Sequence, residues 1–179
     1  MNSKRILLSP PHMGGTELTY IAQAFQDNWI APSGPHIDLF ENRLVDFLDE
    51  KSQVVALNSG TAAIHLGLQL LGVQKGDVVL CQSLTFIASV NPVLYLGATP
   101  VFIGSEKETW NLCPIALEEA ILNQLNKGIQ PKAIVVVHLY GMPAKMNEII
   151  TISKKYNIPI LEDAAEALGS SYDGKPCGT

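Results

Sequence analysis

Four short stretches of the 179-residue sequence carry groups suited to chemistry. Asn58-Ser59-Gly60-Thr61 joins an apolar run, Val54 to Leu57, to a helical one, Ala62 to Leu71. A strand, a tight polar turn and a helix start are expected there. The first turn of a helix has amides without internal partners and a partial positive charge, so an anionic phosphate suits it. Gly60 allows close backbone approach, while Ser59 and Thr61 add hydroxyls, and Ser59 can equally serve as the helix N-cap. Ser83-Leu84-Thr85-Phe86, His138-Leu139-Tyr140-Gly141 and Glu162-Asp163-Ala164-Ala165-Glu166 each follow another apolar run. They contribute an aromatic ring, an imidazole and carboxylates.

The elements that position these groups follow from periodicity. Leu18, Ile21, Ala22 and Phe25 recur at helical spacing behind the turn-forming Ser9 to Gly15 stretch. Trp29 to Pro35 breaks that helix with two prolines and a glycine. A second amphipathic helix runs from His36 through Leu39, Phe40, Leu44, Phe47 and Leu48 to a polar stop at Asp49 to Ser52. Strands are expected at Val54–Leu57, Val78–Cys81, Thr99–Ile103, Lys132–Val137 and Ile158–Leu161. Helices are expected from Ala62 to Leu71, from Ser83–Phe86 to about Leu96, from Pro114 to about Leu125 and from Pro143 to Tyr156. The tail from Ser170 reads as a hairpin around Asp173-Gly174.

Alternating strands and helices imply an α/β fold, a three-layer α/β/α arrangement with a mainly parallel sheet. Ligands of such sheets bind outside the carboxyl ends of the strands, where all four stretches fall. Composition narrows the function classes. The chain is 47% apolar and 16% charged, as in a compact soluble protein, and its net charge of -5 with scattered lysines argues against a nucleic-acid groove. Cys81, Cys113 and Cys177 are odd in number and widely spaced, which fits reduced thiols and offers no metal-site spacing. The run Ile6-Leu7-Leu8 is too short for a signal-peptide core or a membrane span. A cytoplasmic protein without membrane or nucleic-acid partners is expected.

Asp163 ends an apolar strand with no lysine or arginine adjacent in sequence. A protonated pyridine nitrogen would meet its charge, and pyridoxal 5'-phosphate combines that nitrogen with a phosphate and a flat ring on which Phe86 can stack. Asp163 as the N-cap of a helix over Ala164 to Leu168, and Phe86 as a core aromatic, are alternatives at this stage.

The four stretches, extended to Asn58–Leu66, Ser83–Ala88 and Glu162–Gly169, resemble in order and spacing the DegT-type sugar-nucleotide aminotransferases, which are fold-type-I pyridoxal-phosphate enzymes. The resemblance covers Ser9 to Thr179. It implies that Ser59, Gly60 and Thr61 hold the cofactor phosphate, that Phe86 stacks on the ring, that Asp163 pairs with its nitrogen, and that Glu166 lies near its phenolic oxygen. Many members carry Gln or His at that last position, so Glu166 is expected to be protonated, turned away or facing the substrate's amino group. The family's Schiff-base lysine is expected after Thr179, leaving no catalytic residue of that kind in the chain, because Lys175 matches no lysine of the mechanism. The sequence therefore reads as a truncated large domain. Residues 1–35 form an N-terminal segment and substrate-side loop, and residues 36–179 part of the cofactor-binding domain, without the small C-terminal domain.

The stretches Ser9–Gly15 and Trp29–Pro32, together with Glu166, most resemble enzymes that aminate carbon 4 of a UDP-linked 4-keto-6-deoxy-N-acetylhexosamine, the bacillosamine route, for cell-surface glycans. That resemblance implies glutamate as nitrogen donor, a UDP-sugar as acceptor, a homodimer, and weaker substrate contacts from Trp29, Ile30, Pro32 and His138. His65 reads as a packed helix residue. Rival readings are a related sugar dehydratase, an aminotransferase for another nucleotide sugar, or a non-catalytic protein that uses the same cup for a phosphate ligand.

Overall fold

The computed structural model describes residues 5–7, 10–48 and 51–179. Ser9, at the head of the first turn, and the Asp49-Glu50 part of the polar stop lie outside the described residues. The helices are α1 (Glu17–Gln26), α2 (Pro35–Leu48), α3 (Gly60–Leu70), α4 (Asn91–Tyr95), α5 (Pro114–Asn126) and α6 (Met146–Tyr156). The strands are β1 (Val78–Gln82), β2 (Thr99–Ile103), β3 (Ala133–Val137), β4 (Ile160–Asp163), β5 (Ser171–Tyr172) and β6 (Lys175–Pro176). Single 3-10 turns occupy Ile87–Ser89 and Leu139–Gly141.

Strands β1 to β4 form one parallel sheet in the order β2-β1-β3-β4. Successive side chains of a strand point to opposite faces, and here both faces are covered. Leu80, Ile134 and Val136 pack with Leu117, Ile121 and Ile149 of α5 and α6. Val79, Cys81 and Val135 pack on the other side with Ile64, Leu68 and Val93 of α3 and α4. This explains why β1 and β3 read as unbroken apolar runs: every residue of both strands is buried. Burial also pushes the Cys81 thiol up to about 12, because its thiolate would have no solvent.

Three sequence expectations are corrected. Val54 to Leu57 forms no strand. The segment has no regular secondary structure, Val55 and Leu57 are exposed, and the Ala56 amide donates to a Glu41 carboxylate oxygen at 2.7 Å rather than to a ladder. Strand propensity without a facing strand leaves backbone groups to find other partners. The helix expected after Ser83–Phe86 is divided into the Ile87–Ser89 turn and α4, since Pro92 fits only a first helical turn. α6 starts at Met146 rather than Pro143, with the Ala144 amide committed to a histidine ring.

α1 and α2 contain no buried residue, and Phe25, Phe40 and Phe47 stay more than half exposed. No described helix is long and apolar enough to cross a membrane.

Candidate active site

β1 is flanked by β2 on one side and β3 on the other, so the β1-to-β2 connection runs one way across the sheet and the β2-to-β3 connection runs the other, opening a crevice at the carboxyl ends of the strands. A cavity of about 270 Å³ lies there, walled by Gly60 and Thr61 of α3, Thr85, Phe86 and Ser89 beyond β1, His138 beyond β3, and Asp163 and Glu166 at the end of β4. The β3–β4 register pairs Val137 with Asp163, which brings those two strand ends level.

The α3 end is a donor cup. Ser59, in extended conformation, caps the helix by accepting from the Ala62 amide at 3.2 Å, and its carbonyl accepts from Ala63. Ser59 is thus the N-cap and stands one residue outside the cavity wall, whereas Gly60 and Thr61 form part of it. Their amides have no protein partner among the described residues. A Cβ built on Gly60 would meet nothing within 4 Å, so the backbone faces open space. Unpaired amides at a helix start, facing a void, suit a phosphate.

Phe86 is 78% exposed at the cavity's edge, so it is no core aromatic in this chain. Asp163 caps no helix, since residues 164–168 form turns. Its Oδ2 accepts from Ser89 Oγ at 2.6 Å, its Oδ1 accepts from the Ala165 amide at 3.2 Å, and Ser89 Oγ lies 2.8 Å from Thr85 Oγ1. No lysine or arginine pairs with Asp163 among the described residues.

The loop after β3 is held under strain. Tyr140 has φ 53° and Gly141 φ 80°, both left-handed, and a Cβ on Gly141 would stand 2.8 Å from the Glu166 carbonyl oxygen. Only glycine tolerates that approach, while Tyr140 adopts its conformation at a cost of about 1–3 kcal/mol. What holds it is specific. The Tyr140 amide donates to Glu166 Oε2 at 2.9 Å, and buried Asn111 accepts from the Leu139 amide and donates to the Met142 carbonyl. One oxygen of Glu166 is thereby committed to the loop.

His138 contributes to the wall, but its imidazole has no exposed surface. Nδ1 accepts from the Ala144 amide at 3.0 Å, so the ring proton sits on Nε2, 2.6 Å from Glu162 Oε1. Ligand atoms of His138, Glu162 and Cys177 lie within 4.8 Å of one another. A metal on Nε2 would require the proton on Nδ1, facing the Ala144 N–H, so His138 and Glu162, with the Gly178 amide donating to Glu162 Oε1, form a hydrogen-bonded lock rather than part of a metal centre. Burial, then the charge of Glu162, pushes the Cys177 thiol up.

Among the weaker expectations, Trp29, Ile30 and Pro32 are absent from the cavity wall. Trp29 packs over Gly34, and Ile30 is exposed. His65 packs edge-on against Tyr95 with ring centroids 5.8 Å apart. Lys175 is exposed in the β5–β6 hairpin, and no described lysine lines the cavity. Sequence reasoning missed Ser89, Asn111 and Gln82. Buried Gln82 spans from the Leu84 carbonyl to the Leu112 amide and so fixes the loop carrying Phe86. The available signal was a polar residue interrupting or ending an apolar run.

Residues 11–179 match the model of the DegT/DnrJ/EryC1/StrS aminotransferase family. EpsN of Bacillus subtilis is 53% identical over 176 residues, covering 98% of this chain and 45% of its own length. A GDP-perosamine synthase of Escherichia coli O157:H7 is 39% identical over 176 residues, covering 98% of this chain and 46% of that protein. Among solved structures, the PLP-form of Spr1654 from Streptococcus pneumoniae superposes with a TM-score of 0.86 at 30% identity, over 98% of this chain and 46% of the other. The aminotransferase from Psychrobacter cryohalolentis superposes with a TM-score of 0.85 at 33% identity, over 95% of this chain and 42% of the other. The chain spans less than half the length of the relatives it matches.

Proposed function

Because the chain belongs to the DegT/DnrJ/EryC1/StrS aminotransferase family, we propose that it supplies the phosphate cup, ring platform and carboxylate of a pyridoxal-phosphate-dependent sugar aminotransferase. The observation that carries this reading is that Gly60 and Thr61 at the start of α3, Phe86 beyond β1 and Asp163 at the end of β4 wall one cavity. The residues fit the cofactor chemically: among the described residues the amides at the start of α3 are unpaired and face open space at Gly60, an aromatic ring stands free at the rim, and the carboxylate has no cationic partner.

Pyridoxal phosphate, when bound, supplies the electron-withdrawing ring through which an amino group passes from donor to acceptor. The chain's own residues bind and orient it. The Gly60 and Thr61 amides, with the dipole of α3, hold the phosphate, and the Ser59 hydroxyl keeps a proton to donate while its oxygen caps the helix. Phe86 covers a ring face. Asp163 keeps the ring nitrogen protonated, because a neighbouring negative charge favours the cationic form. Glu166, with one oxygen committed to Tyr140, has the other for a protonated amine of the substrate.

The acceptor in this reading is a UDP-linked 4-keto-6-deoxy sugar aminated at carbon 4, with glutamate as donor. Support comes from the sequence resemblance at Ser9–Gly15, Trp29–Pro32 and Glu166. Residues 36–179 are then part of the cofactor-binding domain, residues 1–35 a segment on the substrate side, and the assembly a homodimer in which Trp29 and Ile30 meet the partner.

The test measures amination of UDP- and GDP-linked 4-keto-6-deoxy sugars by the protein as the cell makes it, with glutamate and cofactor, beside the 179-residue chain alone. Amination of the UDP-sugar by the cellular protein is expected, with no turnover by the 179-residue chain, whose described lysines stand outside the cavity. Preference for the GDP-sugar would overturn the nucleotide assignment, and failure of either protein to bind cofactor would overturn the whole reading.

A further inference from the structure

The geometry points to Ser89 and Thr85 as positioning residues that aim the Asp163 carboxylate at the ring nitrogen of the cofactor, an inference that rests on the function proposed above. Ser89 is 2% exposed and comes from a different strand end than Asp163, 74 positions away in sequence. An ionised carboxylate only accepts hydrogen bonds, so the single hydroxyl proton of Ser89 is directed to Asp163 Oδ2 across 2.6 Å. The 2.8 Å contact between Thr85 and Ser89 must then have Thr85 as donor. The direction of the chain, Thr85 to Ser89 to Asp163, follows from the acceptor at its end. Each link polarises the next.

A neutral holder suits this place. A lysine or arginine paired to Asp163 would fix the carboxylate but neutralise the charge that a ring cation needs. A hydroxyl fixes its rotation and leaves its net charge in place. The same serine belongs to the wall beside Phe86, so the groups that orient the carboxylate and cover the ring share one short turn, Thr85 to Ser89. The Ala165 amide at 3.2 Å on Oδ1 is the longer contact, leaving Ser89 as the principal anchor.

The test uses the 179-residue chain saturated with pyridoxamine 5'-phosphate labelled with ¹⁵N in the ring, which needs no lysine to bind, and follows the ring-nitrogen shift against pH. Wild type is expected to keep the nitrogen protonated to higher pH than the free compound. Asp163→Asn should abolish that advantage. Ser89→Ala should lower the midpoint by about one pH unit, a tenfold change in the protonation equilibrium, and Thr85→Val should lower it by less. Ser89→Cys keeps the buried volume with a much weaker donor and should behave like Ser89→Ala, which separates lost aim from lost packing. If Asp163→Asn shifts the midpoint and neither Ser89 variant does, the positioning role is overturned while the reading of Asp163 stands. If wild type shows no saturable binding, or Asp163→Asn has no effect, both fall.

Discussion

Substituting Gly60 by alanine separates the binding function proposed for the α3 start from its structural one. Gly60 is absent from the residues with left-handed backbone, and an added Cβ would meet nothing within 4 Å, so the free protein accommodates the methyl without strain. Alanine is also the better helix former, by at most about 1 kcal/mol in a helix interior and less at a first position. For a domain of this size that is an increase in Tm of no more than about 2–4 °C. Binding should move the other way. The methyl would stand where a phosphate oxygen approaches the Gly60 and Thr61 amides, and each charge-assisted hydrogen bond lost is worth about 1.5–3 kcal/mol. The expected result is a drop of about 10- to 100-fold in affinity for pyridoxamine 5'-phosphate by titration calorimetry, with Tm unchanged or slightly raised. Affinity within twofold of wild type would refute the amide cup. A fall in Tm of several degrees would refute the claim that Gly60 is there for ligand approach and not for packing.

Glu106 should make the fold sensitive to acid. Burial opposes its charge, but the Thr109 hydroxyl, the amides of Glu108 and Thr109, and Lys145 outweigh burial and hold its carboxyl down at about 2. Because the folded value lies below the unfolded one near 4.5, the stability it contributes is present above about pH 4.5 and is lost as pH falls toward 2. Glu106→Gln should cost about 1–2 kcal/mol at pH 7 by urea denaturation, with the difference closing toward pH 2. A constant difference across that range would count against this account. His138→Phe should cost about 2–4 kcal/mol in the same measurement, since it leaves the buried Ala144 amide without its acceptor and Glu162 Oε1 with only the Gly178 amide as donor. A cost below 1 kcal/mol would show that the imidazole is retained for the cavity and not for the lock.

Local pattern was sufficient for the alternation of elements, the parallel sheet with both faces covered, and the edge at which Gly60, Phe86, His138 and Asp163 collect. Those features depend on hydrophobic period, on prolines and glycines at turns, and on the handedness of crossover connections, all of which act within a few residues or one unit. Pairing partners decided the rest. Val54 to Leu57 has the composition of a strand and is not one, because a strand exists only with a neighbour that no local pattern supplies. His138, expected as a weak substrate contact, has its imidazole sealed between Ala144 and Glu162, and Asp163, with a helix cap as its alternative reading, is held by Ser89 instead. Asn111 and Gln82 showed in the sequence only as polar residues beside apolar runs, because each acts by tying together backbone segments about 30 positions apart. A hydrogen bond depends on position and direction to within a few tenths of an ångström. The packed core sets that geometry only once the whole sheet has formed.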